Sequence, residues 1–335
     1  MNIFLVTSPF QYICANEAKE AYNTKENILV LVNHNSEPGL SQQKKLVDYS
    51  EWDHVIITKR KNRSKNMPKV IKNLLHINKK GKIEHFFHAE YNGWRTKLML
   101  RNLPIEKEVY FDDGTLTINE YEEFIRPKIN YFRPRLIQDL IIRLRGCQPI
   151  GNLPQSENLE LFTIFNIIKP EHPVQKNTFQ ALKKQYKINS LYHPNAPIGF
   201  IGQGSIGHKG HKKVDVYINE VLHFSNHFKK EIIYFPHRTE SEYVRQRIMQ
   251  IDKITYHHSE LPLEIELVDK KIHLAGLVGI LSTVQYTALM LYPNMPIFNL
   301  VDISNLEHTP KKLILKRENR IKRLFEENGI KNIAL

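Results

Sequence analysis

Cysteine is scarce in this sequence, with Cys14 and Cys147 as the only two among 335 residues. Two distant cysteines supply neither a disulfide framework nor the closely spaced ligands of a zinc site, which favours a reducing compartment. No apolar run approaches the roughly 20 residues that a membrane-spanning helix needs. The opening stretch MNIFLVTSPFQYICANEAKEAY has no basic leader and no small-residue cleavage site, so no secretory signal is predicted. Together these absences favour a cytoplasmic protein.

Acidic residues are also few: the sequence has 35 Asp and Glu against 48 Lys and Arg, and its net charge is therefore +13. Such a surplus indicates an anionic partner: nucleic acid, a membrane surface or an acidic small molecule. The basic segments lie at residues 59–82 and 310–329 and leave open a peripheral contact with the inner membrane. No recognisable nucleic-acid module accompanies them, so no nucleic-acid partner is expected.

Apolar runs alternate with helical patterns along the chain, and this alternation predicts βαβ units and a mostly parallel sheet. The first half contains a helical, basic stretch at Asn119–Leu144 and five strand-like runs, NIFLVTS, NILVLVN, HVIITK, KIEHFFHAE and KEVYFDDG, with ENLELFTIFN closing the half. After a proline-containing candidate linker at residues 185–197, the pattern restarts with IGFIGQG, EIIYFPH, LVGILST and a last strand, PIFNLVD. We therefore predict an α/β protein with two Rossmann-like domains, 1–190 and 191–335, that face a central cleft. Ligands gather at the carboxyl ends of such strands.

In the first half, Asp112, Asp113 and Gly114 follow the strand-like VYF. A carboxylate at a strand end can act as a general base. Aspartate and glycine are also ordinary turn residues, and for the motif alone a turn is the more common explanation. Acidic pairs can hold a divalent ion as well, but no second acidic or histidine cluster completes a coordination shell.

In the second half, two strand ends carry polar residues. Pro236, His237 and Arg238 follow EIIYF, where a histidine can stabilise a departing phosphate and an arginine can pair with it. Ser282 and Thr283 stand where a helix starts, which suits either an anion site or simple helix capping.

Three weaker candidates lie nearby. Glu264 could accept hydrogen bonds from ribose hydroxyls, or be a solvated charge. Gly202 and Gln203 belong to GFIGQGSIG, a glycine-rich loop. It matches neither the GxGxxG dinucleotide-binding consensus nor the P-loop with its lysine. Asp215 starts the following helix, where an acidic residue is common without any catalytic role.

The order of these motifs resembles the bacterial sialyltransferases of glycosyltransferase family 52, which act on lipooligosaccharides. That family shares an acidic pair before glycine, a histidine–proline motif and a Ser/Thr pair, and its members tend to open with a short strand and a TP or SP segment. Here these are Asp112–Gly114, Pro236–His237 in reversed order, Ser282–Thr283, and VTSPFQ with Ser8, Pro9 and Gln11. The resemblance covers most of the chain through short motifs.

The resemblance implies a GT-B fold and metal-independent, inverting transfer of sialic acid from CMP-sialic acid, without a cofactor. Domain 1–190 would hold the acceptor, and domain 191–335 would bind the CMP-sugar and end in a basic helix. By the same resemblance, Asp112 or Asp113 is the base, with Asp215 as a third candidate. His237 assists departure of CMP. The donor-binding residues would be Gly202, Gln203, Pro236, Arg238, Glu264, Ser282 and Thr283.

The expected acceptor is a terminal sugar, galactose above all, of an anionic lipooligosaccharide or capsule glycan. Three alternatives stay open: a GT-B enzyme with another nucleotide-sugar donor, a basic nucleic-acid-binding α/β protein, and a lipid-surface scaffold. The oligomeric state is not fixed by the sequence, and a homodimer is one option.

Overall fold

A computed structural model describes residues 1–34, 37, 39–79, 81–188, 191–204, 206–208, 212–300 and 312–333. The chain divides into two compact units, Met1–Leu182 and Lys183–Leu335. The predicted strand end at residues 301–302 lies outside the described residues, as do position 205 of the glycine-rich loop and positions 189–190 of the candidate linker.

The first unit is built on a seven-stranded parallel sheet in the order β3-β2-β1-β4-β5-β8-β9, with a small antiparallel pair, β6 and β7. Its strands are β1 (Asn2–Val6), β2 (Asn27–Asn33), β3 (His54–Lys59), β4 (Ile83–His88), β5 (Ile105–Phe111), β6 (Tyr131–Phe132), β7 (Asn152–Leu153), β8 (Leu159–Thr163) and β9 (Val174–Lys176). Its helices are α1 (Pro9–Ala21), α2 (Gly39–Leu46), α3 (Arg63–Ile77), α4 (Trp94–Asn102), α5 (Leu116–Glu120), α6 (Leu136–Leu144) and α7 (Gln180–Tyr186), in which the division between the units falls.

Both faces of this sheet are covered, which explains why its strands are continuous apolar runs instead of alternating ones. In β1 every residue is buried. Phe4 stacks on Phe87 of β4 with ring centroids 4.3 Å apart, on the face that α1 covers. The opposite face packs Ile3 and Leu5 against Val70 and Leu74 of α3.

The second unit repeats the plan with a six-stranded parallel sheet in the order β12-β11-β10-β13-β14-β15. Its strands are β10 (Ile198–Ile201), β11 (Ile232–Phe235), β12 (Ile254–Tyr256), β13 (Gly276–Gly279), β14 (Ile297–Leu300) and β15 (Lys331–Ile333). Its helices are α8 (Val214–His227), α9 (Glu242–Met249), α10 (Leu263–Asp269), α11 (Thr283–Leu291) and α12 (Lys312–Glu327).

In both sheets the strand order reverses beside the first strand, between β1 and β4 and between β10 and β13. This is the Rossmann order, and its reversal opens a crevice outside the carboxyl ends of the two central strands. The predicted α/β class with two Rossmann-like sheets is confirmed. The segments that follow β1, β4, β10 and β13 therefore lie at these two crevices.

Three local predictions were wrong. The helical prediction for Asn119–Leu144 fails in its middle, because Pro127 and Pro134 interrupt helix formation and the chain forms β6 between them. PIFNLVD is not the last strand, since β15 pairs beyond it with β14. LVGILST leaves the sheet at Gly279, before its hydroxyl residues.

Candidate functional site

The two aspartates at the end of β5 have different surroundings. Asp112 is fully buried and accepts hydrogen bonds from Thr163 Oγ1 at 2.6 Å and from the Ile164 backbone N–H at 2.7 Å. Burial raises its pKa to about 7, against the opposing effect of these hydrogen bonds. Asp112 thus ties the end of β5 to the end of β8.

Asp113, by contrast, is half-buried at the carboxyl edge of the sheet. The turn that carries it is closed by two bonds: the Asp113 N–H donates to Thr117 Oγ1 at 3.1 Å, and the Thr117 N–H donates to the Gly114 carbonyl at 3.1 Å. Gly114 has φ +66°, a conformation that suits glycine. The motif is therefore a turn, and this turn places the half-buried Asp113 at the sheet edge.

The N-terminal segment lies at the crevice of the first sheet. Ser8 is the N-cap of α1, and its side chain accepts from the Gln11 N–H, while Pro9 occupies the first helical turn. Gln11 Oε1 in turn accepts from the Thr7 N–H at 2.8 Å. Thr7 Oγ1 donates to Glu90, which follows β4, at 2.6 Å. The two segments that border the crevice are thus joined directly.

Three arginines surround this junction, and we call Arg60, Arg63 and Arg95 the arginine cluster. Arg60 Nη2 donates to the Thr7 carbonyl at 2.8 Å, and Arg95 Nη2 donates to the Arg60 carbonyl at 2.7 Å. Among the described residues, neither Arg60 Nε nor Arg95 Nε, both buried, finds a hydrogen-bond partner. Desolvation lowers the pKa of Arg95, and Glu90 is the carboxylate that opposes this effect. The cluster is an electropositive site for which one carboxylate does not balance the charge.

In the second unit, the glycine-rich loop after β10 packs closely on the residues after β11. A Cβ on Gly202 would stand 2.6 Å from the Tyr234 hydroxyl, and one on Gly204 would stand 2.7 Å from Nδ1 of His237. The Gly202 N–H also donates to the Phe235 carbonyl at 2.7 Å, while the Gln203 backbone hydrogen-bonds the Tyr217 hydroxyl. The glycines are thus needed for close approach, and one of them borders His237.

His237 is held in a defined tautomer by the residue two positions on. The Thr239 N–H donates to His237 Nδ1 at 3.2 Å, and the Thr239 hydroxyl lies 2.8 Å from the same nitrogen. Since Nδ1 is the acceptor, the proton of the neutral ring is on Nε2. Although the ring reaches solvent, desolvation by the surrounding protein and the charge of Arg238 lower its pKa. The neutral ring therefore offers an N–H donor at Nε2.

Two acids at the start of α10 have pKa values that are shifted in opposite directions. Burial raises the pKa of Glu264 to about 7, and the charge of Arg238 opposes that shift. Glu266 has a pKa lowered to about 2, because it binds His257 and accepts the backbone N–H groups of Glu260 and Leu261. Glu266 fixes the loop before α10. Glu264 is the acid whose ionised form a hydrogen-bonding ligand could favour.

Ser282 is the N-cap of α11 in a complete capping box with Gln285. Its side chain accepts from the Val284 N–H at 3.3 Å, and its own N–H donates to Gln285 Oε1 at 2.7 Å. The preceding Leu281 has φ +47°, an uncommon conformation for a residue with a branched side chain. Capping accounts for Ser282, and Thr283 follows it at the helix start beside the crevice.

Asp215 is exposed and pairs with Arg247 Nη1 at 2.9 Å. An exposed ion pair of this kind is an ordinary feature of a protein surface. Within the described residues no group of three or more histidines, cysteines, aspartates or glutamates is placed to hold a metal ion. No described helix is both long and apolar enough to cross a membrane.

Sequence reasoning missed four residues that build these sites: Glu90, Arg95, Thr163 and Glu266. Each acts on a residue far along the chain or on a backbone group, as when Thr163 binds Asp112 across 51 positions. For the arginine cluster, the sequence did give one local signal: the basic run KRKNR contains its other two members, Arg60 and Arg63.

No family model matches the chain, and no curated protein matches it. Solved structures do. An α/β-galactoside α-2,3-sialyltransferase from Photobacterium phosphoreum has a TM-score of 0.55 and 14% identity over 99% of this chain and 97% of that chain. The GT-B domain of a sialyltransferase from Photobacterium damselae has a TM-score of 0.50 and 10% identity over 100% of both chains. A candidate UDP-N-acetylglucosamine 2-epimerase from Listeria monocytogenes has a TM-score of 0.54 and 12% identity over 98% of this chain and 88% of that chain.

Proposed function

From the GT-B fold that these comparisons show, we propose that the protein is an inverting sialyltransferase that uses CMP-sialic acid. The observation that carries the proposal is the position of His237 at the carboxyl end of β11, with Nδ1 occupied and Gly204 packed against the ring. The fold alone does not distinguish a transferase from a nucleotide-sugar epimerase. The order of the acidic, histidine and Ser/Thr motifs supports transfer.

On the donor side, the reaction breaks the bond between the anomeric carbon of sialic acid and a phosphate oxygen of CMP. Negative charge grows on that oxygen, and a positioned donor in a partly desolvated site stabilises it. Nε2 of His237 is that donor. Because the Thr239 N–H keeps Nδ1 an acceptor, the neutral ring donates through Nε2 to this oxygen as CMP departs. Arg238 adds charge to the same end of the sheet, and Thr283 with the α11 start contacts the phosphate.

The ribose of CMP is assigned to Glu264. An ionised carboxylate accepts hydrogen bonds from two neighbouring hydroxyl groups, and these bonds favour the ionised form. A pKa of about 7 in the absence of a ligand means that the donor and a proton compete for this group near neutral pH.

On the acceptor side, we assign the base to Asp113. Its carboxylate takes the proton from the acceptor hydroxyl as that oxygen bonds the anomeric carbon, and the configuration inverts in a single displacement. Asp112 is the less suitable candidate, since it is fully buried and fixes the end of β5 to the end of β8. Asp215 lies in an exposed surface ion pair with Arg247. The transfer needs no metal in this mechanism.

The arginine cluster supports an acceptor that carries an anionic group, as phosphate and carboxylate do in a lipooligosaccharide or capsule glycan. Guanidinium groups bind both through paired hydrogen bonds. Terminal galactose is the proposed acceptor sugar, as the resemblance implied.

The test is a transfer assay with CMP-sialic acid and lactose, a simple β-galactoside, in EDTA. Sialylated lactose is the expected product, and His237→Ala should lower turnover about 10²- to 10⁴-fold with a much smaller effect on CMP affinity. UDP- and GDP-sugars, and UDP-N-acetylglucosamine without acceptor, are run in parallel. Conversion of one of these in place of CMP-sialic acid would contradict the donor assignment, and isomerisation without an acceptor would indicate an epimerase.

A further inference from the structure

Helix α6 exposes an apolar face that the proposed reaction does not use. We call Phe132, Leu136, Ile137, Leu140 and Leu144 the α6 face; their exposed fractions are 64%, 86%, 78%, 58% and 79%. At about 100° per residue, the four helical members fall within an arc of about 100°. Large apolar side chains exposed together in this way mark an interaction surface.

The helix is attached to the fold by its opposite side. Ile142 is fully buried and belongs to the apolar cluster that includes Val70 and Leu74 of α3. The α6 face therefore lies on the side of the helix opposite to the residue that anchors it in the core.

The charged residues next to the face on α6, and those of the adjoining α3, are almost all positive. Arg133, Arg135 and Arg143 are exposed beside it, and α3, which packs on α6, adds exposed Lys65, Lys69 and Lys72 and contains no acidic residue. The single acid of α6, Asp139, accepts the N–H of Arg135 at 3.1 Å.

We propose that the α6 face binds the surface of a membrane that contains anionic lipids. An apolar helix face that enters the boundary between headgroups and acyl chains, bordered by lysine and arginine at the headgroups, is the arrangement of interfacial helices. A second copy of the chain fits less well, because pairing two such faces would bring like charges together. The inference does not depend on the sialyltransferase assignment, and its test involves no catalysis.

The test uses the full chain and vesicles of phosphatidylglycerol and phosphatidylethanolamine, with phosphatidylcholine vesicles as the neutral control. The chain should sediment with the anionic vesicles, less so at high salt, and weakly with the neutral ones. Leu140→Gln/Leu144→Gln should lower the vesicle-bound to free ratio at least about tenfold, since each substitution removes a large apolar group that the membrane would bury. Both side chains are exposed, so folding should be unchanged.

Helix α12 supplies the matched control. Leu313 and Leu315 are also exposed leucines on a basic helix, at 53% and 45%. Leu313→Gln/Leu315→Gln should keep vesicle binding. If this variant loses binding while the α6 variant keeps it, the proposal is wrong. Absence of binding to anionic vesicles, or a dimer that the α6 variant dissociates in size-exclusion chromatography, would also overturn it.

A fluorescent probe locates the contact. Cys14 and Cys147 are buried, so a polarity-sensitive dye attached to Leu140→Cys labels the face selectively. Its emission should shift to the blue with anionic vesicles, while the same dye on Leu313→Cys should not shift. Equal shifts at both positions would contradict a specific role for α6.

Discussion

Gly204 should be necessary for activity because of His237, and almost unnecessary for stability. In Gly204→Ala the new Cβ would stand 2.7 Å from Nδ1 and 2.8 Å from Cε1 of His237, and 3.0 Å from Thr239 Oγ1. Contacts this short require a shift. The nearest atoms belong to an exposed imidazole, so the ring should swing aside and lose its bond to Thr239.

The expected magnitudes separate the two effects. Loss of an exposed hydrogen bond costs about 0.5–1.5 kcal/mol. Alanine restricts the unfolded chain, and this stabilises the folded state by about 0.4–1 kcal/mol. The free energy of unfolding should therefore change by less than about 1 kcal/mol. Turnover should fall toward that of His237→Ala, by about 10²- to 10⁴-fold, which corresponds to roughly 3–5 kcal/mol in the activation free energy.

The assay is a double-mutant cycle on turnover with CMP-sialic acid and lactose, beside thermal unfolding. If Gly204 acts through His237, the double variant should be no slower than His237→Ala alone. Gly202→Ala is the control in the same loop: its Cβ would meet the Tyr234 hydroxyl and the Phe235 carbonyl, so stability should fall by about 1–3 kcal/mol. Normal turnover in Gly204→Ala, or multiplied losses in the double variant, would refute the reasoning.

Asp113→Asn should lower turnover by about 10²-fold or more with CMP affinity unchanged, measured by kinetics and titration; unchanged turnover would exclude Asp113 as the base. Asp112 has a pKa raised to about 7, so its contribution to folding is favourable at low pH and declines as pH rises through 7. Denaturant unfolding at pH 5 and pH 8 should therefore show a smaller loss of stability for Asp112→Asn than for the natural chain, by up to about 3 kcal/mol, because about two pH units of this range lie below the raised pKa; equal losses would contradict the raised pKa. CMP affinity should rise between pH 6 and pH 8 as Glu264 ionises, and Glu264→Gln should flatten that rise in calorimetric titrations; the same slope in both would assign the ribose elsewhere. Arg95→Gln should weaken an acceptor that carries phosphate or carboxylate, with little effect on the KM of lactose, and equal effects on both would argue against an anion site.

Long apolar strands were predictable from the sequence because complete burial requires continuous apolar runs, as in NILVLVN. Short strands were not. Lys331–Ile333 has no distinctive pattern and becomes a strand only through its pairing with β14. The antiparallel pair of β6 and β7 likewise joins segments about 20 residues apart. Pro127 and Pro134 could nevertheless have excluded a continuous helix.

The acidic motif was predictable, but not the difference between its two aspartates. The last four residues of β5 are all buried, so alternation along the strand does not tell which face Asp112 meets. That difference depends on Thr163 and Ile164, which the sheet brings to Asp112 from more than 50 positions away. The glycine-rich loop was identified from its composition, whereas the contact of Gly204 with His237 needed the crossover from β10 to β11.

Calorimetric titration of CMP into the full chain, with EDTA present, tests the central claim most directly. The proposed donor site predicts saturable binding of CMP at one site per chain, tighter than that of UMP or GMP and weakened by Glu264→Gln. No binding of CMP, or preference for another nucleotide, would contradict the assignment of this protein as a sialyltransferase.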